Sequence, residues 1–196
     1  SPFDITKPEK RLQNAIARVV ETGLPVIYVN MIGGQDELVY DGGSFAINTG
    51  GKLACYSPSF SESVLIVTAQ KSMGALTLTG QLSPPDSDLT AVYRGLCLGL
   101  RDYVQKNGFP GVVLGLSGGI DSALVAAIAV DALGADAVQA VMMPSAYTSQ
   151  ESLDDATKVA SLLGIRLDTV PITPAMTALD EMLRDQFAET KRGVAE

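Results

Sequence analysis

The stretch VVLGLSGGIDS, residues Val112–Ser122, decides the fold. Its apolar part, Val112–Leu116, predicts a buried strand, and the glycine-rich turn leads at once into a helical pattern from Ser122 to Leu133. A strand that turns directly into a helix places the free backbone amides of the helix N-terminus at the carboxyl end of the strand. Open α/β sheets bind their ligands at that end, so the sequence predicts an anion site here.

The residue types in the turn suit a phosphate. Gly118 and Gly119 can adopt positive φ angles, which lets backbone amides converge on an anion, and the hydroxyls of Ser117 and Ser122 are expected to add donors. Asp121 would repel a phosphate unless a cation lay between them. We therefore infer a Mg²⁺ ion shared by Asp121 and the phosphates.

Spacing separates this turn from two common phosphate loops. A Walker A loop needs a lysine after its glycines, and a dinucleotide fingerprint needs Gly-x-Gly-x-x-Gly; neither pattern is present. The remaining match is the PP-loop, Ser-Gly-Gly-x-Asp-Ser, which binds ATP. The alternative is a tight strand-to-helix turn with Asp121 or Ser122 as its N-cap, but turn chemistry does not account for both serines, both glycines and the aspartate together. The predicted ATP-binding residues are Gly115, Leu116, Ser117, Gly118, Gly119, Ile120, Asp121 and Ser122.

Downstream of the turn, strand and helix patterns alternate. Strands are predicted at Val138–Met143 and Leu167–Val170, and helices at Thr148–Leu163 and from Thr173 toward Phe187. Alternation of this length predicts an α/β fold with a doubly wound parallel sheet. The segment Met142–Ser145 suits either a surface that flanks an adenine or ordinary core packing of its methionines.

Upstream, the predicted helix Leu89–Lys106 carries one apolar stripe at helical spacing. The stripe consists of Leu89, Val92, Tyr93, Leu96, Cys97, Leu100, Tyr103 and Val104. Residues 68–88 lose this patterning and include Pro84-Pro85, which predicts an interdomain linker.

The amino-terminal stretch predicts one helix and several short strands. The helix begins at Thr6, which has capping-box spacing to Glu9, and ends at Gly23. Strands are expected at residues 25–30, 44–47, 53–56 and 63–67. One helix with four strands is an incomplete set of layers, so this stretch resembles the end of a domain.

Composition narrows the function classes. The 196-residue chain has 14 Lys and Arg against 22 Asp and Glu, a net charge of -8, which argues against binding a nucleic-acid backbone. It has no apolar run of about 18 residues and no basic-then-apolar leader, so we expect a cytoplasmic protein without a membrane partner. The chain has no histidine, which removes Ser-His-Asp and Cys-His catalysis and imidazole metal sites within it. Cys55 and Cys97 lie in apolar patterns typical of reduced core thiols.

Two parts of the chain resemble glutamine-dependent NAD synthetases. Residues 115–134 (GLSGGIDSALVAAIAVDALG) and 141–165 (VMMPSAYTSQESLDDATKVASLLGI) are similar to the PP-loop synthetase domain of that family. Residues 1–13 (SPFDITKPEKRLQ) and 26–45 (VIYVNMIGGQDELVYDGGSF) are similar to the closing part of its nitrilase-like glutaminase domain.

The resemblance implies that the chain has three parts, and it implies a reaction for the full-length enzyme. Residues 1–72 would be the carboxyl-terminal part of an α/β nitrilase-like glutaminase (carbon-nitrogen hydrolase) domain, 73–88 a linker, and 89–196 the first part of the synthetase domain. The family is a carbon-nitrogen ligase of NAD biosynthesis: it adenylates deamido-NAD with ATP, and ammonia from glutamine then displaces AMP. Another PP-loop amidotransferase, such as a GMP or asparagine synthetase, and a non-catalytic nucleotide-binding module stay open as alternatives. A homo-oligomer is expected.

The resemblance also assigns residues. The PP-loop residues would hold the ATP phosphates, with Asp121 toward Mg²⁺. In the family, a Ser-Pro segment and the basic residue six positions after its serine line the glutamine pocket, and these match Ser1 and Lys7 here. Lys7 fits a solvated first-turn charge equally well. The family's catalytic Glu, Lys and Cys precede its Ser-Pro segment, so no catalytic residue is expected within the chain, and neither Cys55 nor Cys97 takes that place. The family's synthetase domain continues beyond the position of Glu196, so we expect an incomplete piece of the enzyme.

Overall fold

The computed structural model describes residues 1–83 and 85–186. Contacts divide the chain into two compact units, residues 1–110 and the chain from residue 111 onward. No helix in these described stretches is long and apolar enough to cross a membrane.

The second unit is a parallel α/β sheet, as the alternating patterns predict. Its strand order is β10–β9–β8, and both pairs are parallel, with Leu114 and Leu167 each opposite Ala140. Its elements in chain order are β8 (Val112–Gly115), α3 (Ile120–Leu133), a short 3-10 helix (Ala135–Ala137), β9 (Val138–Met142), α4 (Gln150–Leu163), β10 (Arg166–Thr169) and α5 (Thr173–Leu183). Phe187, toward which the last helix is predicted to run, lies outside the described residues.

Small residues bring the helices of the second unit close to their neighbours. Ala126, Ala129 and Ala132 are the buried positions of α3, and Ala156 and Ala160 are those of α4. Alanine has high helix propensity and leaves little side-chain volume between helix and sheet, so α3 and α4 pack tightly at these positions.

The first unit contains an antiparallel sheet covered by a helix. The elements of this unit are α1 (Lys7–Thr22), β1 (Val26–Tyr28), β2 (Ile32–Gln35), β3 (Leu38–Asp41), β4 (Phe45–Ile47), β5 (Leu53–Tyr56), β6 (Thr68–Ser72), β7 (Ala75–Thr79) and α2 (Asp88–Lys106). The main sheet has the order β1–β4–β5. Ala15 and Val19 of α1 pack against Phe45 and Ile47, and the Phe45 ring stacks on Tyr28 with centroids 5.0 Å apart.

Two hairpins depart from the sequence expectation. β2–β3 forms where a polar stretch between glycines is expected, and β6–β7 forms across residues 68–79, where the patterning weakens. The side chain of Asn48 holds β7, because its amide nitrogen donates to the Leu78 carbonyl (2.9 Å) and its amide oxygen accepts from the Leu78 N–H (2.7 Å). The strand predicted at 63–67 is wrong: these residues are irregular, and Val64 is exposed.

The helix α2 forms where it is predicted, but its buried face differs in part from the predicted stripe. Leu89, Leu96 and Tyr103 of the predicted stripe are 85, 51 and 53% exposed. Val104 of the stripe is buried, together with Gly95 and Leu98, which lie outside the stripe. Contacts also place all of α2 in the first unit, which ends at Pro110, although the sequence assigns it to the second domain. The domain limits 1–72, 73–88 and 89–196 therefore stay a prediction, and β7 lies within the proposed linker.

Neither of the two predicted capping boxes forms as expected, although α1 keeps Thr6 as its N-cap residue. Thr6 makes no side-chain cap for α1; its N–H and hydroxyl instead donate to the carboxylate of Asp4. At α4 the N-cap is Ser149, whose hydroxyl accepts from the Ser152 N–H, rather than Thr148. In each case a neighbouring side chain, Asp4 or Ser149, accepts a hydrogen bond from a backbone N–H at the start of the helix.

A buried ion pair joins α1 to the end of β3. Arg11 and Asp41 are 9 and 1% exposed, and the Arg11 guanidinium donates to the Asp41 carboxylate. Burial opposes the charge on Arg11, but the hydrogen bond and charge of Asp41 outweigh burial and raise the pKa of the guanidinium. The Asn30 amide also donates to Asp41 (3.2 Å) and to the Gly42 carbonyl (3.0 Å).

Asp41→Asn should lower the free energy of unfolding by about 3–5 kcal/mol, because it leaves the Arg11 charge buried without its carboxylate. Urea unfolding followed by circular dichroism measures this change. Arg18→Met is the matched control: it breaks the exposed Arg18–Glu21 pair and should cost less than about 1 kcal/mol. Equal losses for the two variants would contradict a structural role for the buried pair.

Candidate functional site

The candidate site is the turn between β8 and α3, at the carboxyl end of a parallel strand. β8 ends at Gly115 and α3 begins at Ile120. Leu116 anchors the start of the turn, because its side chain is buried and its N–H donates to the Val141 carbonyl on β9 (2.9 Å). The structure therefore places the predicted loop where an open α/β sheet binds ligands.

Gly118 is the position that lets the loop take its shape. Its φ is +81°, in the left-handed region, and a Cβ there would lie 2.3 Å from the carbonyl oxygen of Ser152 in the first turn of α4. Gly119 differs from the expectation: its φ is -82° and ψ is 155°, an extended conformation open to any residue, and it is the N-cap of α3. Only one of the two glycines has the positive φ predicted for both.

The two serine hydroxyls form hydrogen bonds within the loop. Ser122 Oγ donates to the Gly119 carbonyl (2.9 Å) and accepts from the Ser117 N–H (3.2 Å). The hydroxyls of Ser117 and Ser122 are 3.1 Å apart, and Ser117 Oγ also accepts from the Gly119 N–H (3.3 Å). Because Ser122 uses its proton on Gly119, Ser117 is the donor between the two hydroxyls. Both hydroxyl protons thus hold the loop together, whereas the sequence assigns them to an anion.

The groups left for a ligand are backbone amides and one carboxylate. Ile120, Asp121 and Ser122 form the first turn of α3, where N–H groups have no acceptor within the helix. The positive end of the helix dipole adds to their attraction for an anion. Asp121 is exposed and forms no ion pair with a residue in the described part of the chain. Within that part, no group of three or more His, Cys, Asp or Glu could hold a metal by itself.

A cleft of about 510 Å³ lies beside the loop. Gly115, Leu116 and Ser117 line one side, and the end of β9 and the start of α4 line the rest with Val141, Met142, Met143, Pro144, Tyr147, Thr148, Ser149, Ser152 and Leu153. Three residues of the predicted adenine-flanking segment, Met142–Pro144, therefore reach the cleft. The fourth, Ser145, instead donates its N–H to the Thr148 hydroxyl (2.9 Å).

Sequence reasoning missed the contribution of α4 to this cleft. Tyr147, Ser149 and Ser152 carry no motif of their own, and the only local signal is a predicted helix start beside them. They reach the site because α4 begins beside Gly118, a contact between residues distant in the chain.

The two residues predicted at a glutamine pocket lie in the first unit, on one network. Ser1 is exposed, and its carbonyl accepts from the Asn30 amide (3.2 Å). Lys7 opens α1, and its carbonyl accepts from Arg11 Nε (3.4 Å). Since Asn30 and Arg11 both bind Asp41, the buried network connects the backbone at Ser1 with that at Lys7. Their side chains stay predicted rather than demonstrated glutamine ligands.

The chain is similar to known proteins along its whole length. A sequence profile of the NAD synthase family matches residues 92–195. A glutamine-dependent NAD(+) synthetase from Rhodobacter capsulatus is 48% identical over 100% of this chain and 36% of its own length; one from Synechocystis is 46% identical over 88% and 31%. The chain thus spans about a third of the length of these curated relatives.

Solved structures similar to this chain belong to the same family as its curated relatives. Glutamine-dependent NAD+ synthetase from Acinetobacter baumannii, solved in complex with adenosine diphosphate, matches with a TM-score of 0.92 and 40% identity, over 100% of this chain and 37% of that one. A glutamine-dependent NAD(+) synthetase from Cytophaga hutchinsonii, 17% identical, matches with a TM-score of 0.78 over 96% of this chain and 37% of that one, which shows the fold alone.

Gly118→Ala should destabilise the protein by more than the roughly 1–2 kcal/mol that a left-handed alanine costs, because its Cβ also meets the Ser152 carbonyl. Gly119→Ala is the matched control and should change stability by no more than about 1 kcal/mol, the scale of an N-cap substitution. Thermal unfolding of both variants measures the difference. The loop geometry would be contradicted if Gly119→Ala were the more damaging of the two.

Proposed function

Because this chain belongs to the NAD synthase family, we propose that the full-length protein carrying it converts deamido-NAD to NAD. In this proposal ATP adenylates the carboxylate of deamido-NAD and releases pyrophosphate. Ammonia from glutamine then displaces AMP and forms the amide, which makes the protein a carbon-nitrogen ligase with glutamine as amido donor. The PP-loop at the end of β8, within the stretch that the NAD synthase profile covers, is the observation that carries the proposal.

The ATP phosphates would lie against residues Gly115–Ser122. The first-turn amides of α3 and the helix dipole supply positive potential without a lysine or arginine, which suits a protein of net charge -8 that binds a small anionic nucleotide. The adenosine diphosphate bound to the Acinetobacter baumannii relative supports a nucleotide in this fold. Met142 and Met143, at the edge of the cleft, would flank the adenine.

Asp121 would hold Mg²⁺ at the phosphates. Its exposed carboxylate beside the amides of α3 is a hard oxygen ligand, and Mg²⁺ commonly takes one or two carboxylates together with substrate phosphates and waters. The ion would neutralise charge on the phosphates as pyrophosphate leaves. A single protein carboxylate therefore fits the ion, although the chain offers no cluster of ligands among its described residues.

The glutaminase half contributes binding rather than catalytic groups within this chain. Ser1 and Lys7 would line the glutamine pocket, at two ends of the buried Arg11 network. Cys55 does not suit a nucleophile, because it is fully buried and burial raises the pKa of its thiol, which keeps it protonated. The catalytic cysteine would belong to the preceding part of the full-length enzyme.

Two further expectations belong to this proposal. A cytoplasmic location fits the reduced thiol of the buried Cys55. A homo-oligomer is expected for the full-length enzyme, and light scattering of the purified protein tests it.

The reaction is tested by incubating the full-length protein with ATP, Mg²⁺, glutamine and deamido-NAD. NAD, AMP, pyrophosphate and glutamate should appear in equal amounts. Release of ADP and phosphate would contradict adenylation, and amidation of a different acceptor would indicate another PP-loop amidotransferase.

Asp121→Asn should reduce NAD formation by about a hundredfold or more, because the variant keeps the shape of the side chain but loses the charge that binds Mg²⁺. Calorimetric titration with ATP should show weaker binding in the presence of Mg²⁺ and little change in its absence. The matched control is Asp136→Asn, an exposed carboxylate before β9, at the opposite end of the parallel sheet. If Asp121→Asn bound Mg²⁺ and ATP as the wild type does, Asp121 would not be the metal ligand.

A further inference from the structure

Two serines at the start of α4 line the cleft beside the PP-loop. Ser149 is the N-cap of the helix, and Ser152 lies in its first turn. Neither belongs to the six-residue motif, and the function proposed above gives neither of them a role. We call Ser149 and Ser152 the α4 serine pair.

The α4 serine pair is in contact with the PP-loop. A Cβ at position 118 would lie 2.3 Å from the carbonyl oxygen of Ser152 and 2.9 Å from its Cα. No side chain therefore fits between the first turn of α4 and the loop at Gly118. A phosphate held against the loop would lie beside the pair, since both serines face the same cleft as Ser117.

The α4 serine pair has two hydroxyl protons and uses one of them internally. Ser149 Oγ accepts from the Ser152 N–H (3.2 Å), and the two hydroxyl oxygens are 3.0 Å apart. One proton lies between the two oxygens, whichever serine donates it. Neither hydroxyl donates to another acceptor among the residues that the structure describes, so one proton of the pair is left over on the cleft wall.

The serines of the PP-loop have no such proton to offer. One of their two hydroxyl protons lies on the Gly119 carbonyl, and the other lies between Ser117 Oγ and Ser122 Oγ. The spare hydroxyl proton at the loop thus comes from α4 rather than from the motif. A hydroxyl that donates to a phosphate oxygen forms a charge-assisted hydrogen bond, which is about twice as strong as a neutral one.

We propose that the α4 serine pair donates a hydrogen bond to a phosphate oxygen of the bound nucleotide. The proposal rests on the function proposed above, because it takes ATP as the ligand of the cleft. Either serine can be the donor, since the proton between the two oxygens belongs to one or the other. Loss of one hydroxyl releases the proton of its partner for the ligand. The site therefore tolerates the loss of either hydroxyl but not the loss of both.

The test compares four full-length proteins: the wild type, Ser149→Ala, Ser152→Ala and the double variant. Calorimetric titration with ATP in the presence of Mg²⁺ measures the affinity of each. Each single variant should stay within about threefold of the wild type, whereas the double variant should bind ATP about tenfold more weakly or worse. A loss that appears only when both hydroxyls are removed is the signature of two donors that replace each other.

Thermal unfolding separates this result from loss of the helix cap. Ser149→Ala removes the acceptor of the Ser152 N–H and should lower stability by itself, and Ser152→Ala should add little to that loss. The double variant should therefore be about as stable as Ser149→Ala and yet bind ATP much more weakly. Ser161→Ala removes an exposed serine at the other end of α4, so it is the matched control and should behave as the wild type in both measurements.

Titration with inorganic pyrophosphate identifies the part of the nucleotide that the pair binds. Pyrophosphate carries phosphates without adenosine, so the double variant should lose affinity for it by about the same factor as for ATP. The proposal is overturned if the double variant binds both ligands as the wild type does, or if only ATP binding weakens. It is also overturned if one single variant loses as much affinity as the double variant, or if affinity falls in parallel with stability.

Failure of the proposed function gives a different result. If the wild type binds no ATP, the proposed function and the role of the α4 serine pair are both wrong. If the wild type binds ATP and forms NAD while the double variant keeps its affinity, only the role of the pair is wrong.

Discussion

The contact between Gly118 and the Ser152 carbonyl is the constraint on which the site depends. Two segments distant in the chain approach so closely that no side chain fits between them, and the backbone of the loop must take a left-handed conformation at that point. α4 consequently starts beside the loop, and the cleft acquires its second wall from Tyr147 to Ser152. The hydroxyls of Ser117 and Ser122 then hold the loop in shape, which leaves the amides of α3 and the Asp121 carboxylate for a ligand.

In the first unit, polar side chains hold the irregular parts together with apolar packing. Arg11 and Asp41 bind α1 to β3, and Asn48 binds β7 through both polar groups of Leu78. Each of these side chains satisfies groups that would otherwise be left without a partner, which is costly for a buried group. The β6–β7 hairpin is therefore held by hydrogen bonds from Asn48 and by the burial of one side chain, Leu78, against Ala46 and Cys55, so it needs little apolar alternation of its own.

The sequence assigns the helix α2 to the second domain, whereas its packing assigns it to the first unit. The NAD synthase profile begins within it, at residue 92, whereas its contacts, including the hydrogen bond from the Gly34 N–H to Asp102, place it in the first unit. A helix of the first unit therefore forms the start of the stretch that the family profile covers.

The sequence by itself determined the parallel α/β fold of the second unit, the position of the loop at the end of its first strand, and the family. These follow from local signals: the periodicity of apolar residues, the capping and breaking residues, and a six-residue motif in strand-to-helix context. Tertiary structure decided the remainder. Residues far apart in the chain decide the need for glycine at position 118, the wall supplied by α4 and the burial of Gly95 on α2. The serine hydroxyl bonds are local, but they form only once the turn has taken its shape. Periodicity identifies an apolar face but not which other element packs against it. The distance between the two packed elements decided where glycine was required and which hydrogen bonds formed.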